Sequence, residues 1–132
     1  MQMQSLLSTS KNEQWQKRSI VLQSFLENKL VIPTLNFIHI IDINKILYIQ
    51  SSSNYTKFFL EDNSTILCSK TLKLFEGILI DKHFLRIHSS YIINLNKLIG
   101  IKRNGDYTVV LENDIRLPVS RSYKNMLFTV IY

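Results

Sequence analysis

Residues 98–111 read Leu-Ile-Gly-Ile-Lys-Arg-Asn-Gly-Asp-Tyr-Thr-Val-Val-Leu, and this stretch predicts a β-hairpin. Two runs rich in β-branched and other apolar residues, 98–102 and 107–111, flank the dipeptide Asn104-Gly105. Asn-Gly is a strong signal for a hairpin, because both residues tolerate the positive φ that a tight turn requires. A chain that contains such a unit is expected to build antiparallel sheet.

Several other short runs of the chain share this strand-like pattern. They combine aliphatic, β-branched and aromatic residues, and polar turn residues such as Glu61–Ser64 separate neighbouring runs. The strands predicted in this way cover residues 30–33, 36–41, 46–49, 55–60, 65–68 and 115–119. The sequence therefore predicts a mostly β domain built from short antiparallel strands.

Two short helices are expected between these strands. Ser69 is a candidate N-cap for a helix that places Leu72, Phe75 and Leu79 on one side. Ser120 is a candidate N-cap for the second helix, close to the end of the chain.

Residues 1–29 differ from the rest and are predicted to form a separate N-terminal segment before a domain over 30–132. A capping-box pattern, Ser10 to Glu13, precedes apolar residues that share one helical face, namely Trp15, Leu22, Phe25 and Leu26. This pattern predicts a helix over about residues 11–28. We interpret it as a docking or linker helix, with dimerisation or partner binding as the alternative.

Composition limits the class of protein. The 132 residues include 45% hydrophobic residues, which suffices for one folded domain. No apolar stretch is long enough to insert into a membrane, and the single cysteine, Cys68, indicates a reducing, cytoplasmic setting. The formal net charge of +6 is typical of a basic protein that binds polyanions such as nucleic acid.

No constellation of residues predicts an enzyme. His88, Ser89 and Ser90 are neighbours on a predicted strand, so their side chains point apart and do not form a nucleophile–base pair. The acidic residues are scattered, and the three histidines lack the spacing of metal ligands. We therefore predict no catalytic, cofactor-binding or metal-binding residues.

Three short polar segments carry residue types that bind polyanions: Ser51–Lys57, His88–Ser90 and Val119–Lys124. Their hydroxyl, amide and cationic groups can hydrogen-bond to phosphate oxygens and base edges. Arg121 falls in the first turn of the predicted second helix, where exposed amide groups attract anions. Ordinary surface loops and solvated charges are the alternative interpretation.

The strand before the second of these segments alternates in polarity. Leu85 and Ile87 are expected to face the core, while Arg86 and His88 face the other way. For Arg86 the preferred interpretation is structural, a side chain that ties the strand to the following loop. Ser89, at the end of the strand, is the better candidate for contact with a ligand.

Four motifs in this order resemble the LytTR family of bacterial DNA-binding domains. The Ile-Leu-Tyr-Ile-Gln of 46–50 and the Asn-Tyr-Thr of 54–56 resemble the family's I-x-Y-I-E-A-x-x-N-Y-T. The Ser-Lys-Thr-Leu-Lys of 69–73 resembles its S-L-K helix. The Phe-Leu-Arg-Ile-His-Ser-Ser-Tyr-Ile-Ile-Asn of 84–94 resembles F-x-R-I-H-R-S-Y-I-V-N, and the Leu-Pro-Val-Ser-Arg of 117–121 resembles L-P-V-S-R.

The resemblance extends over residues 30–128 and implies an elongated arrangement of short antiparallel sheets with two short helices. It implies a transcription regulator, related to response regulators, whose loops enter neighbouring major grooves of double-stranded DNA. Two copies, or a homodimer, would bind direct repeats. Together with the polar segments, it identifies as candidate DNA-binding residues Asn54, Tyr55, Thr56, Lys57, His88, Ser89, Arg121 and Lys124.

Two departures from the family pattern support an alternative function. Ser89 stands where the family often has Arg or Asn, and a hydroxyl cannot make the bidentate guanine contact of Arg. Some 29 residues before the domain are too few for a receiver domain, although Met1 favours a complete small protein. The alternative is a protein-interaction adaptor or antagonist on the same fold, with a sensor or inhibitor partner bound through residues 11–28.

Overall fold

The computed structural model describes residues 27–132, and the helix predicted over 11–28 therefore falls almost entirely outside the described part. The strands are β1 (Lys29–Pro33), β2 (Ile38–Asp42), β3 (Ile46–Ser52), β4 (Tyr55–Leu60), β5 (Thr65–Cys68), β6 (Phe84–His88), β7 (Tyr91–Asn94), β8 (Leu98–Asn104), β9 (Asp106–Leu111) and β10 (Ile115–Val119). The helices are α1 (Leu72–Ile78) and α2 (Arg121–Ile131), and single 3-10 turns cover Ile43–Lys45, Leu95–Lys97 and Glu112–Asp114.

The strands form three antiparallel sheets. The central sheet has five strands in the order β5-β4-β3-β7-β6, β1 pairs with β2, and β8 to β10 form a three-stranded sheet in the order β10-β9-β8. The Asn104-Gly105 hairpin joins β8 to β9, as the sequence predicted. The prediction of a mostly β fold of short antiparallel sheets with two helices is confirmed.

One hydrophobic core lies between the central sheet and the layer formed by β1 and α1. The apolar side of α1 supplies Leu72 and Phe75, and Leu79 follows directly after the helix, as the sequence predicted. Phe75 packs edge to face against Phe58 of the central sheet, with ring centroids 4.8 Å apart. Other members of this core are Leu30, Ile32, Ile43, Ile46, Ile49, Ile66, Cys68, Phe84 and Ile92.

A second core lies between the central sheet and the three-stranded sheet with α2. It contains Leu47, Tyr48, Ile87, Ile93, Val109, Leu111, Leu117 and Leu127, with Leu85 packed against it. Neighbouring residues of β7 show how the two cores are divided, because Ile92 belongs to the first and Ile93 to the second. Side chains alternate along a strand, so a sheet covered on both faces needs an uninterrupted apolar run.

The helix caps agree only in part with the sequence-based prediction. The N-cap of α1 is Thr71, whose Oγ1 accepts the amide hydrogen of Leu74 at 3.3 Å, and not Ser69. The carbonyl of Lys70, directly before this cap, accepts a hydrogen bond from the hydroxyl of Thr56. Ser120 does occupy the N-cap position of α2, but its hydroxyl makes no capping hydrogen bond.

Within residues 27–132, no helix is both long and apolar enough to cross a membrane.

Candidate nucleic-acid interface

The first polar segment is a tight hairpin turn rather than a long loop. The sequence suggested seven polar residues between two strands, but Ser51 pairs with Thr56 and Ser52 pairs with Tyr55. Only Ser53 and Asn54 remain in the turn, and Ser53 adopts a φ of 59°. Polar residues extend both strands because cross-strand backbone bonds do not depend on apolar side chains.

Asn54 and Tyr55 lie at the exposed tip of this hairpin, and 48% of Tyr55 is accessible to solvent. Thr56 is placed differently, because it is completely buried and its hydroxyl donates to the carbonyl oxygen of Lys70 at 2.7 Å. This corrects the expectation that Thr56 contacts DNA. Its side chain instead fastens the hairpin to the connection between β5 and α1.

The lysines of the first and third segments are both half-buried and rest against aromatic rings. The Nζ of Lys57 lies 5.3 Å from the ring centroid of Phe59, and the Nζ of Lys124 lies 5.4 Å from that of Tyr107. A ring face attracts an ammonium group and restricts its motion. The aromatic ring therefore restricts where the ammonium group of each lysine lies within its segment.

The second segment is the turn between β6 and β7, and its backbone is held by the imidazole of His88. The Nδ1 atom of His88 accepts the amide hydrogen of Ser90 at 3.0 Å, and its ring packs against Tyr91 with centroids 5.3 Å apart. Ser89 is exposed at the tip of the turn.

Arg86 has the structural role that the sequence favoured for it, and more contacts than the sequence indicated. Its guanidinium donates to the backbone carbonyls of His88 and Ser89 and forms an ion pair with Glu76 of α1. No sequence pattern indicates the ion pair, because strand and helix meet only in the folded chain.

The third segment is the start of α2, where Arg121 is the first helical residue and is exposed. It lines a polar cleft together with the β8–β9 turn, which contributes Gly105 and Asp106. The sequence gave no sign that this hairpin turn lies beside Arg121. The hydroxyl oxygen of Ser120 is buried at the same place and has no hydrogen-bond partner.

Backbone hydrogen bonds bring the three segments together. The amide of Ser51 donates to the carbonyl of Ser90 at 2.9 Å, which ties the first segment to the second. The amide of Ser120 donates to the carbonyl of Ile87 at 2.9 Å, which ties the third segment to β6. The segments contain Lys57, Arg121 and Lys124 but no Asp or Glu.

The arrangement has the chemistry of a polyanion-binding surface and lacks that of a metal centre. Across residues 27–132, no group of three or more His, Cys, Asp or Glu side chains could hold a metal ion.

Comparison with known proteins decides the family. The family model described as the LytTr DNA-binding domain matches residues 36–131. The chain belongs to the LytTR family. LytTR domains are a DNA-binding and not a catalytic family, and the resemblance noted in the sequence motifs is confirmed.

Two curated relatives are named sensory transduction protein LytT. The protein from Bacillus subtilis (strain 168) is 27% identical over 108 residues, which cover 80% of this chain and 44% of the relative. The protein from Bacillus anthracis is 28% identical over 102 residues, covering 76% and 41%. The LytTR chain thus spans less than half the length of these relatives.

A solved LytTr DNA-binding domain from Bacillus cereus shares the fold. Its structure superposes with a TM-score of 0.68 at 24% sequence identity, over 79% of this chain and 96% of the solved chain. The arrangement of three sheets and two helices is therefore the LytTR fold.

Proposed function

We propose that this LytTR domain is a sequence-specific regulator of transcription that binds double-stranded DNA in the cytoplasm. The observation that carries the proposal is that backbone hydrogen bonds tie the first polar segment to the second at Ser90 and tie the third to Ile87, the residue directly before the second. They are far apart in the chain, expose polar and cationic side chains and contain no carboxylate of their own, and Asp106 of the β8–β9 turn is the acidic residue that lines the cleft with Arg121. Such a surface favours the phosphate backbone and presents hydrogen-bonding groups to base edges.

The candidate residues divide into two roles. Lys57 and Lys124 would neutralise phosphates, because an ammonium group acts as a point charge. Arg121 would read a base edge, because its planar guanidinium can bond to both acceptors of a guanine. Ser89 and the exposed tip of the first hairpin, Asn54 and Tyr55, would supply further base or sugar contacts.

His88 would act mainly through the turn that it holds, and Thr56 through the hairpin that it fastens. Neither role requires the side chain to touch DNA, since the first is bonded to the backbone of Ser90 and the second is buried. Base readout is therefore assigned to Asn54, Tyr55, Ser89 and Arg121.

We further propose that two copies bind direct repeats. Three short turns cover little of a duplex, and a second copy on a neighbouring half-site doubles the number of base pairs that are read. Half-sites about one helical turn apart, roughly 10–10.5 base pairs, place both copies on the same side of the duplex.

Selection of bound duplexes from a randomised library tests this function. We expect one enriched motif, repeated in the same orientation. Inserting about 5 base pairs between the repeats should weaken binding of the second copy, because the half-sites then face opposite sides. A library that yields no enriched motif would contradict sequence-specific binding, and an inverted repeat would contradict the direct-repeat arrangement.

A protein-interaction role on the same fold is the second candidate. The observation that favours it is an apolar surface on the β1–β2 hairpin, where Phe37, Ile38 and Ile40 are 62%, 63% and 55% exposed. Contiguous exposed apolar side chains often mark interaction sites. Failure of the library selection, combined with loss of a bound partner after Ile40→Lys, would favour this candidate.

A further inference from the structure

Arg86 lies on β6 beside the turn, and only 16% of its side-chain surface is exposed. Its guanidinium uses three nitrogens as donors. Nε donates to the carbonyl of His88 at 3.1 Å, and Nη2 donates to the carbonyl of Ser89 at 2.6 Å. Nη1 donates to Oε1 of Glu76 at 2.7 Å. The guanidinium therefore donates to two consecutive backbone carbonyls of the turn, and its third donor binds the carboxylate of Glu76.

The same side chain also reaches the element that carries Arg121. The Cζ atom of Arg86 lies 5.8 Å from the ring centroid of Tyr123, which is on α2 two residues after Arg121. Arg86 thus contacts α1, α2 and the β6–β7 turn at once. Two of the proposed base-reading residues, Ser89 and Arg121, are on elements that meet at this guanidinium.

The charge of Arg86 is poorly placed for direct contact with phosphate. Glu76 compensates it at hydrogen-bond distance, and the side chain is largely buried. A contact between Arg86 and a base would need the Nε and Nη2 donors, which already bond to the carbonyls of His88 and Ser89. An arginine in this setting contributes through geometry, because its planar fork binds two acceptors in fixed directions.

We propose that Arg86, held by Glu76, is a positioning residue for DNA recognition. It fixes Ser89 relative to Arg121 and thereby sets sequence selectivity without touching DNA. The inference rests on the proposed function for its DNA consequence, whereas the ordering of the turn belongs to the free protein. The two parts can be tested separately.

The first experiment measures amide hydrogen exchange in the free protein. Arg86→Lys keeps the charge but cannot grip both carbonyls, so the amide of Ser90 should exchange at least about tenfold faster than in the wild type. Amides of the distant β4–β5 pair serve as the internal control and should not change. Unaltered exchange at Ser90 in this variant would overturn the proposal.

The second experiment measures affinity for the selected duplex and for an unrelated duplex with Glu76→Gln. Removing a negative charge should tighten binding to every duplex if only electrostatics matter. A positioning role predicts instead that the ratio of specific to unrelated affinity falls about tenfold, because the amide oxygen of Gln offers the guanidinium only a weaker, neutral acceptor in place of the carboxylate. Asp81→Asn, an exposed acid with the same charge change, is the matched control and should leave the ratio unaltered.

The outcomes separate the two proposals. Equal effects of Glu76→Gln and Asp81→Asn on the affinity ratio would overturn the positioning role while leaving DNA binding intact. A wild-type protein that prefers no duplex would overturn the proposed function. In that case the exchange of Ser90 still decides whether Arg86 orders the turn.

Discussion

At the scale of single residues, the candidate interface combines two kinds of cation. Arg121 is exposed at the start of α2, whereas Lys57 and Lys124 lean on aromatic rings. A guanidinium discriminates between bases because its donors have fixed directions, and an ammonium group mainly senses charge. Specificity and general affinity should therefore respond to different substitutions.

Arg121→Ala should lower specific binding by about 1–3 kcal/mol and relax the preference at one base pair, because a bidentate base contact is lost. Fluorescence anisotropy with duplexes that carry single base-pair changes measures both effects. Unchanged affinity together with unchanged preference would remove Arg121 from the base-reading set.

Lys57→Ala and Lys124→Ala should each reduce the slope of log affinity against log salt by about 1, because one fewer counterion is released. The preferred sequence should stay the same. Lys73→Ala, an exposed lysine of α1, is the control and should leave the slope intact. A changed base preference in either variant would show that the lysine reads sequence.

At the scale of elements, tight turns position the polar segments. The β8–β9 turn borders the cleft that contains Arg121, and Gly105 in this turn has a φ of +84°. A residue with a Cβ is strained at such a φ, although a Cβ at Gly105 would meet no atom within 4 Å. The free-energy cost of replacing Gly105 therefore comes from backbone strain at this φ and not from steric overlap with neighbouring atoms.

Gly105→Ala should lower the free energy of unfolding by about 1 kcal/mol, because alanine disfavours positive φ. Gly77→Ala is the matched control with the opposite sign. Gly77 lies within α1 in open space, so alanine should raise the free energy of unfolding by about 0.5–1 kcal/mol. Urea denaturation measures both, and a stabilising Gly105→Ala would refute the argument from φ.

At the scale of the whole molecule, two cores on opposite faces of the central sheet hold the three sheets together. A polar connection supplements them. Lys97, in the 3-10 turn between β7 and β8, bonds to Glu61 at 2.9 Å and lies 3.6 Å from Glu112. Glu61 belongs to the β4–β5 turn and Glu112 to the turn after β9, so one lysine links the central and three-stranded sheets.

Removal of this link should show a defined pH dependence. The hydrogen bond to Glu61 raises the pKa of Lys97 above its ordinary value of 10.5. A raised folded-state pKa stabilises the protein below the unfolded-state pKa, and this contribution disappears as pH rises through the folded-state pKa. Lys97→Met should therefore cost up to about 1 kcal/mol at neutral pH, since both carboxylates are substantially exposed.

Unfolding experiments from pH 7 to pH 11.5 test this expectation. The difference between wild type and Lys97→Met should be constant at first and shrink as the pH rises above the ordinary lysine pKa of 10.5. Lys102→Met, an exposed lysine of β8, serves as the control. A difference that grows with rising pH would contradict the assigned direction.

The sequence alone determined most of the strand pattern, the Asn104-Gly105 hairpin and the family, whereas β7 was not among the predicted strands. These predictions depend on residues that are close together in the chain, namely the alternation along strands, the Asn104-Gly105 dipeptide and the four motifs. Such local patterns can be recognised before any tertiary contact is known. β5 and β10 have the predicted bounds, and Leu72 and Phe75 lie on the buried side of α1. Helix caps were predicted less well, because Thr71 and not Ser69 accepts the hydrogen bond that begins α1.

Only the tertiary structure decided which polar residues face solvent and which hold the scaffold. Thr56 belongs to a motif that suggested contact with DNA, yet it is buried, and its hydroxyl donates to the backbone carbonyl of Lys70, 14 residues away. The sequence already favoured a structural role for Arg86, but only the folded chain shows that Glu76 of α1 lies beside it and forms an ion pair with it. These roles depend on contacts between distant parts of the chain, and local sequence patterns carry no information about such contacts.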